Sequence, residues 1–532
     1  MRLNYLYNFK NTIRFFMNIE DLDYSDVDLG HISWTKPFNF RIRKDDNSFR
    51  TLRIPNIYNF KAAYDYYEAN IHDGNFDLNN LEGLDSNKRM EISYELGEFK
   101  EKSYDKWQQI DYNMLIKYDL LLRYDIKSFY DNIYTHYIFK GISNDNISDS
   151  SLFRMYSGRT SGIIMGNYIS LYAAEVLSSK ISSELKSRLE NVDCYFSYFS
   201  DDFYIFVNHS DKERVTKIFD EVLEKFNLNK NEEKIKIYDY LSYTNDNVIE
   251  KYWKTIAKII REKKYYQSLE IASGKLEKNN NLGFTNQLIY RLNKLDEYKK
   301  QKVFIVNFFK SRFFRKIDFS NTYFNEYIYH QILFLIKKFP EILLYIDSII
   351  DSFEEFKNNS FKETIIRFYN NSLETNYHDE QLYYYYFINK LGITDKIKNK
   401  ETRKKVLNSD NHVLISYYIM NNMFETEEIN IIKNYADEEY WLEYYYIILN
   451  DSDLYLDLEN SVMKYLIPEK ASRHDMILPY KNFYMKNLSH RRNILYDIHE
   501  VSNVIEEYFF VKYPIKEEAE SSGAIITEEY PF

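Results

Sequence analysis

Glycine and proline are scarce. The chain has 12 Gly and 7 Pro among 532 residues, where average usage would give roughly 60. So few breakers point to long helices and exclude a turn-rich all-β fold or a propeller. Cysteine is nearly absent. Cys194 stands alone, which excludes a disulfide framework and a thiolate zinc site within the chain and suits a reducing compartment. Positive charge is in deficit: Lys+Arg is 70 against Asp+Glu 81, a net charge of −11. That balance argues against a protein that coats duplex nucleic acid, while leaving room for a local basic channel. Long apolar runs are missing too. The most apolar window, residues 332–346, is broken by Lys337, Lys338 and Pro340, and about 18 uninterrupted apolar residues are needed to span a bilayer. Lys10 and Arg14 interrupt the N-terminal stretch, so no secretory h-region is expected there. A cytoplasmic protein without a membrane contact is the expectation.

What is present is a globular composition, 45% hydrophobic and 28% charged, in a length that suggests two or three domains. Tyr (54) and Phe (38) are abundant, together with Asn, Lys and Ile, as AT-rich coding favours. Abundance alone therefore marks no aromatic as a base-stacking residue. Eight of the 12 glycines precede residue 167. The front of the chain is mixed and turn-bearing, and the back is helix with few interruptions.

Residues 38–43 and 48–54 alternate apolar and polar around the turn Lys44-Asp45-Asp46-Asn47, which predicts a hairpin with a basic face. Residues 120–124 form a short apolar strand ending at Asp125. Two aromatic and β-branched runs, 195–199 and 203–207, flank Ser200-Asp201-Asp202 and predict a second hairpin. Helical patterns cover 168–189 and 212–226. From about residue 247 apolar positions recur at three and four over 248–260, 286–295, 302–314, 326–338, 341–353, 380–391, 412–423, 438–449, 454–466 and 494–510. The fold class is therefore α+β followed by an all-α region. Its helix pairs could stack as a HEAT-like repeat or form an irregular bundle. The expected divisions are 1–245, 246–513 and an acidic tail, 514–532.

Three segments carry the chemistry: LRYDIKSFYDNI at 122–133, GRTSGIIMGNYISLYAAE at 158–175, and YFSDDFYIF at 198–206. Alone, each is weak. An Asp at a strand end is usually a cap, and an Asp pair in a hairpin is usually a turn. Together they place one carboxylate beside two others. Like charges ~4 Å apart repel by several kcal/mol at intermediate dielectric, so such a cluster calls for a cation. Hard oxygen ligands favour Mg2+ or Mn2+, and a pair of such ions is the apparatus of nucleotidyl transfer.

At this point the sequence resembles the reverse transcriptases. Asp125 with IKSFYDNI resembles their first catalytic motif, and SGIIMGNYIS followed by AAE resembles their Gly-rich motif. FSDD resembles the x-x-D-D box, LNKNEEKIKIY the segment after it, and RTLRIPN the fingers motif. Ile164 stands where the family has Pro, Met165 where it has a polar residue, and Phe199-Ser200 where Tyr-Ala is usual. The resemblance implies that Asp125 and Asp201 bridge the metals, with Asp202 a nearby or weaker ligand and the Ile126 carbonyl completing the shell. It implies that Tyr130 excludes a 2′-hydroxyl, making the substrate a dNTP. Arg50, with Arg43 or Lys44, would hold the triphosphate, and Lys234 would protonate pyrophosphate. Gly162 and Gly166 would let backbone approach the nucleotide, while Ser170 caps or packs.

YDIKSFYDNIYTHYI and L-x-I-P-N further resemble the bacterial abortive-infection (Abi) and related defence reverse transcriptases, whose palm is followed by helical repeats in place of a thumb. That resemblance implies antiphage defence in the bacterial cytoplasm, template-independent DNA synthesis, priming from a protein tyrosine, single-stranded DNA product attached to it, and homo-oligomers. The alternative is RNA-templated synthesis with a partner RNA. A separate signal, SHRRNILYDIHE at 489–500, resembles the R-N-(x)n-H motif of HEPN ribonucleases. If the segment is helical, Arg492 and His499, seven apart, share one face.

Overall fold

The computed structural model describes residues 3–27, 32–70, 78–80, 87–93, 98–99, 101–139, 150–247, 284–295, 297–311, 314 and 326–512. They fall into two compact units. One takes Met1–Asn39, Leu52–Thr244 and Ile419–Tyr496; the other takes Phe40–Thr51, Asn245–Tyr418 and Asp497–Phe532.

The predicted first hairpin is present as β1 (Phe38–Arg43) and β2 (Phe49–Ile54). Pro55 and Asn56 end it. The Asn56 side chain accepts a hydrogen bond from the Tyr58 amide at 3.0 Å, an Asx turn that starts α1 (Ile57–Asn70). Asn56 also donates to the Tyr484 hydroxyl at 2.7 Å, and the Tyr7 hydroxyl donates to the Pro55 carbonyl. The I-P-N segment thus fixes the start of a helix and gathers distant parts of the first unit.

The centre of the first unit is a four-stranded antiparallel sheet of β3 (Leu120–Asp125), β4 (Cys194–Phe199), β5 (Asp202–Val207) and β6 (Lys236–Tyr238). Its order is β4-β5-β3-β6. The second hairpin is tighter than its sequence suggested. Phe199 pairs with Asp202, so only Ser200 and Asp201 make the turn. Ser200 takes φ +53°, the left-handed first position whose twist suits a two-residue hairpin.

Strand alternation separates two faces. Tyr124 and Leu122 lie opposite Phe203 and Ile205. This face packs on α5 (Lys212–Lys225), whose buried Val215, Phe219, Val222 and Leu223 follow helical spacing. The Tyr124 and Phe219 rings stack at 4.7 Å. The opposite face carries Leu121, Arg123 and Asp125 on β3 with Asp202, Tyr204 and Phe206 on β5. Away from the hairpin tip it is covered by α2 (Glu101–Lys117) and α6 (Tyr240–Asp246), which bury Leu115, Tyr118 and Tyr243 with Leu121, Phe206 and Tyr238.

Between β3 and β4 run the short α3 (Phe129–Asn132) and the long α4 (Tyr168–Arg188). The Asn167 side chain caps α4 by accepting from the Ser170 amide, so Ser170 belongs to a cap, as expected. Most of α4 is buried, including the carboxyl of Glu175. Burial pushes that acid up to about 7, against smaller opposing pulls from Lys88 and the Tyr198 hydroxyl. A raised carboxyl favours the protonated folded state. Its contribution to stability is therefore fully present below the unfolded value near 4.5 and is lost as pH rises to about 7. The loss is about 3 kcal/mol by linkage. Glu175→Gln should abolish that slope, gaining stability at pH 8 and not at pH 4. Urea unfolding of both proteins at the two pH values checks this; parallel pH profiles would refute it.

In the second unit, α7 (Tyr298–Lys310), α8 (Asn359–Ser372) and α9 (His378–Lys390) are the main helices described. α8 and α9 pack through Phe361–Phe387 and Phe368–Tyr384 ring contacts at 6.1 and 6.2 Å. α9 is buried on every side. At its start, Glu380 holds Arg43 at 2.9 Å and Asp379 accepts from the Arg43 amide at 3.1 Å. Lys302 lies 3.5 Å from Asp379 and 3.4 Å from Glu341. The hairpin residues of this unit are thereby locked to α7 and α9.

The periodicity found most helices and misplaced some ends. Residues 326–338 are helical as expected, while 341–353 split into a 3-10 turn and Asp347–Ser352. α8 escaped notice because its Asn and Ser residues read as linker. His474–Ser489 escaped because Pro479 lies inside it. The expected helix over 494–510 begins only at Val501. The expected helix 248–260 and the tail 514–532 lie outside the described residues. Among the described residues no helix is long and apolar enough to cross a membrane.

Candidate active site

The sheet register places Asp125 directly opposite Asp202, and Asp201 forms the hairpin turn beside them. The Ile126 amide donates to the Asp201 carbonyl at 3.1 Å, tying the end of β3 to that turn. Burial, then the charges of Asp202 and Asp125, push the Asp201 carboxyl up to about 6. Three carboxylates therefore do share one field.

Two basic side chains answer them. Lys234 Nζ lies 2.8 Å from both oxygens of Asp125, and Asn231 Nδ2 lies 3.1 Å from one of them. The chain makes this possible by running residues 229–231 against 125–127. Lys127 donates to the Asn229 carbonyl, Asn231 donates to the Asp125 carbonyl, and Ile126 bridges Lys230. A 3-10 turn, Glu232–Lys234, then swings the lysine back. On the other side Arg123 Nη2 pairs with Asp202 at 2.9 Å. The Tyr204 ring lies 5.2 Å from the Arg123 guanidinium and 3.7 Å from that of Arg89.

Asp125 and Asp202 thus turn to different cations. Among the described residues no three His, Cys, Asp or Glu side chains are already grouped to hold a metal ion. The donor chemistry nevertheless fits one. Asp125 and Asp201 are hard oxygen donors whose mutual charge is costly unless a cation offsets it.

Around this centre, Tyr130 on α3 accepts at its carbonyl from the Ile163 amide, and Ile133 accepts from Gly162. These bonds fasten the Gly-rich loop to the first motif. Gly162 has φ +86°, and a Cβ there would lie 3.0 Å from the Asp131 carbonyl oxygen. Gly166 has φ +118°, and a Cβ there would lie 3.1 Å from the Asn8 side-chain amide. Both positions need glycine for their backbone conformation and packing.

Residues 42–284 match the family model described as reverse transcriptase (RNA-dependent DNA polymerase). The chain carries a reverse transcriptase domain. That domain makes it a nucleotidyltransferase, of a superfamily whose members generally depend on a divalent metal such as Mg2+ and act on nucleotides and nucleic acid. A telomerase chain from Candida albicans, solved with the TWJ fragment of telomeric RNA, matches at 13% identity and TM-score 0.30, over 64% of this chain and 63% of its own. This chain therefore spans less than two thirds of that one, and a likeness of that degree decides nothing. No curated protein matches.

Within the reverse transcriptase domain, the three acids, Ile126 and Lys234 are linked by strand register and hydrogen bonds, while Tyr130 and Gly162 are linked to each other's segments. Arg50 is exposed on β2, among residues of the second unit. Arg43 does not serve as expected. It is committed to Glu380 and to Asp46 at 2.7 Å, and Lys44 stays exposed. Arg492 and His499 are not on a helix. Residues 490–500 are turn and extended chain, and Arg492 binds the Asp21 carbonyl and approaches Asp23 at 3.8 Å. The shared helix face assumed for a ribonuclease site is absent.

Sequence reasoning missed Arg123, Asn231, Arg53 and Arg159. Arg123 was within reach, since residues two apart on a strand share a face. Arg53 pairs with Asp131 at 2.8 Å, and both Arg53 and Arg159 sit against the Tyr156 ring, at 4.9 and 5.0 Å.

Proposed function

We propose that this chain synthesises DNA from dNTPs at Asp125, Asp201 and Asp202 as a defence reverse transcriptase of the Abi type, without a template and primed from one of its own tyrosines. The observation that carries the synthesis is the direct pairing of Asp125 with Asp202 beside Asp201 in a domain that matches the reverse transcriptases. The Abi assignment rests on the residues of YDIKSFYDNIYTHYI and on the helical run after the palm, read as repeats over 246–513. Met165 in place of a polar residue is consistent with weak contacts to a templated pair.

Asp125 and Asp201, with the Ile126 carbonyl, would hold Mg2+ or Mn2+, and such an ion would supply positive charge to the attacking hydroxyl and the departing pyrophosphate. Asp202 stays with Arg123. Lys234, released from Asp125, gives a proton to pyrophosphate, a reading supported by its contact with Asp125. Tyr130 closes the sugar pocket, so Tyr130→Val should raise ribonucleotide use relative to dNTP at least tenfold, as a lost steric contact allows. Competition between labelled dGTP and GTP measures it, and an unchanged ratio would remove Tyr130 from that role.

RNA-templated synthesis is the second reading, favoured by the RNA-dependent description of the matched family. Incubation with Mg2+ and labelled dNTPs, with and without an RNA template, separates the two. Mass spectrometry of the purified chain, before and after nuclease, reports nucleotides on tyrosine. Labelling that appears only with template overturns template independence. Size measurement in solution tests the homo-oligomer.

A further inference from the structure

Trp34 is a rare residue in an unusual place. Coding bias accounts for many tyrosines, but the chain has only 4 Trp, and Trp441 is buried in the core. Trp34 is 44% exposed, while its neighbours Ile32, Ser33 and Thr35 are buried. The segment is held on both sides. Ser33 donates to the Tyr480 hydroxyl at 3.1 Å, Thr35 donates to the Arg154 carbonyl at 2.9 Å, and Thr35 accepts from the Ser157 amide at 2.9 Å. An extended segment pinned in this way turns alternate side chains inward and projects Trp34 outward.

The ring rests on Gly158, at the head of the Gly-rich loop. A Cβ at Gly158 would lie 2.8 Å from the indole, and its φ is +74°. Arg159 follows and is exposed, its guanidinium 5.0 Å from the Tyr156 ring and 3.3 Å from the Tyr156 hydroxyl. Arg53 approaches the same ring. At the far end of the loop Ser161 bridges Tyr134, which is 38% exposed. The loop from 158 to 162 is therefore flanked by exposed aromatics and carries guanidinium beside them. A Cβ on Gly162, at its end, would lie 3.0 Å from the carbonyl of Asp131, next to Tyr130.

We propose that Trp34, with Arg159 and Arg53, forms a platform that seats single-stranded nucleic acid along the Gly158–Gly162 loop, one base stacking on the indole and the guanidiniums meeting phosphates. The chemistry is that of strand-binding proteins, in which stacking is tolerant of sequence and cations follow the backbone. A duplex would keep its bases from the indole, and a net charge of −11 gives duplex no bulk attraction. Trp34 lies outside residues 42–284 that match the reverse transcriptase family, whereas Arg53 and Arg159 lie within them. It rests on the synthesis reading for its purpose, not for its binding.

The test uses the full chain carrying Asp201→Asn, with fluorescein-labelled dT and rU strands of about 12 nucleotides. Anisotropy should show Trp34→Ala weakening binding about tenfold, Trp34→Phe retaining most of it, and Arg159→Gln lowering the salt slope by about 1. The dT and rU arms say whether DNA or RNA is the strand seated. Unchanged affinity in a Trp34→Ala protein with wild-type melting overturns the platform. Should Trp34→Ala fail to fold, strand-induced quenching of tryptophan fluorescence decides. It should vanish in Trp34→Phe, and its persistence there overturns the proposal equally. Trp34-dependent binding by a wild-type chain that incorporates no nucleotide would end the synthesis reading alone.

Discussion

Asp201→Asn should abolish nucleotide incorporation while leaving the protein folded and somewhat more stable at neutral pH. The loss follows from charge. Asn keeps the shape of the turn but offers no anion to a divalent ion, and several kcal/mol of transition-state stabilisation correspond to roughly a thousandfold in rate or more. The gain follows from the field around Asp201. Its raised carboxyl, near 6, means that ionisation in the folded state is opposed by burial, Asp202 and Asp125. Above pH 6 the folded protein bears that cost and below about 4 it does not. Removing the charge should return on the order of 1–3 kcal/mol at pH 7.5. Primer extension or self-labelling measures the first effect and denaturant unfolding the second. Activity retained within tenfold would dismiss Asp201 as a metal ligand. Activity lost together with stability would point instead to a damaged hairpin.

The second large effect is expected on stability, at a buried ion pair behind Tyr204. Arg89 and Asp111 form a buried bidentate pair, at 3.0 and 2.5 Å, with the Ser197 hydroxyl on Arg89 and the Tyr243 hydroxyl on Asp111. Their side chains are 6% and 3% exposed. Asp111→Ala strands a guanidinium in the core against Tyr204, at a cost of about 3–5 kcal/mol. The melting transition of the first unit should fall by roughly 10 °C. Replacing both partners, Arg89→Met with Asp111→Leu, should recover most of it, because the cost lies in an unpaired charge more than in the lost attraction. Calorimetry of the three proteins is the measurement. A single variant that melts within a few degrees of wild type would show that water reaches Arg89.

The two faces of the central sheet were open to sequence reading because alternation is local. Tyr124, Phe203 and Ile205 announce a buried face by type, and Asp125 and Asp202 announce the other. The tight turn at Ser200-Asp201 was less legible, since only the pairing of Phe199 with Asp202 reveals that Asp202 is strand. Long-range partners were not legible at all. Nothing in the spacing of Arg43 shows that Glu380 will hold it, and nothing near Trp34 shows that Gly158 will lie beneath its ring. Helices failed at their ends and at Pro479, where packing overrides propensity. The division of the chain was hidden for the same reason. Composition changes near residue 245, whereas residues 419–496 return to the first unit through Tyr480, Tyr484 and Asn487, which bond to Asn59, Asn56 and Asp23.

That return has a consequence for how the chain is made. The N-terminal strands and helices leave the ribosome well before residues 419–496. At 5–20 residues per second the 421 residues from Asn59 to Tyr480 take roughly 20–85 s. For that time Tyr58, Asn56 and Asn59 lack the aromatic partners that later bury them, so the nascent first unit waits with a bare hydrophobic seam. Sequence-distant closure of this kind slows folding and favours chaperone capture, and it delays assembly of the unit that bears the three acids until residues 419–496 have emerged.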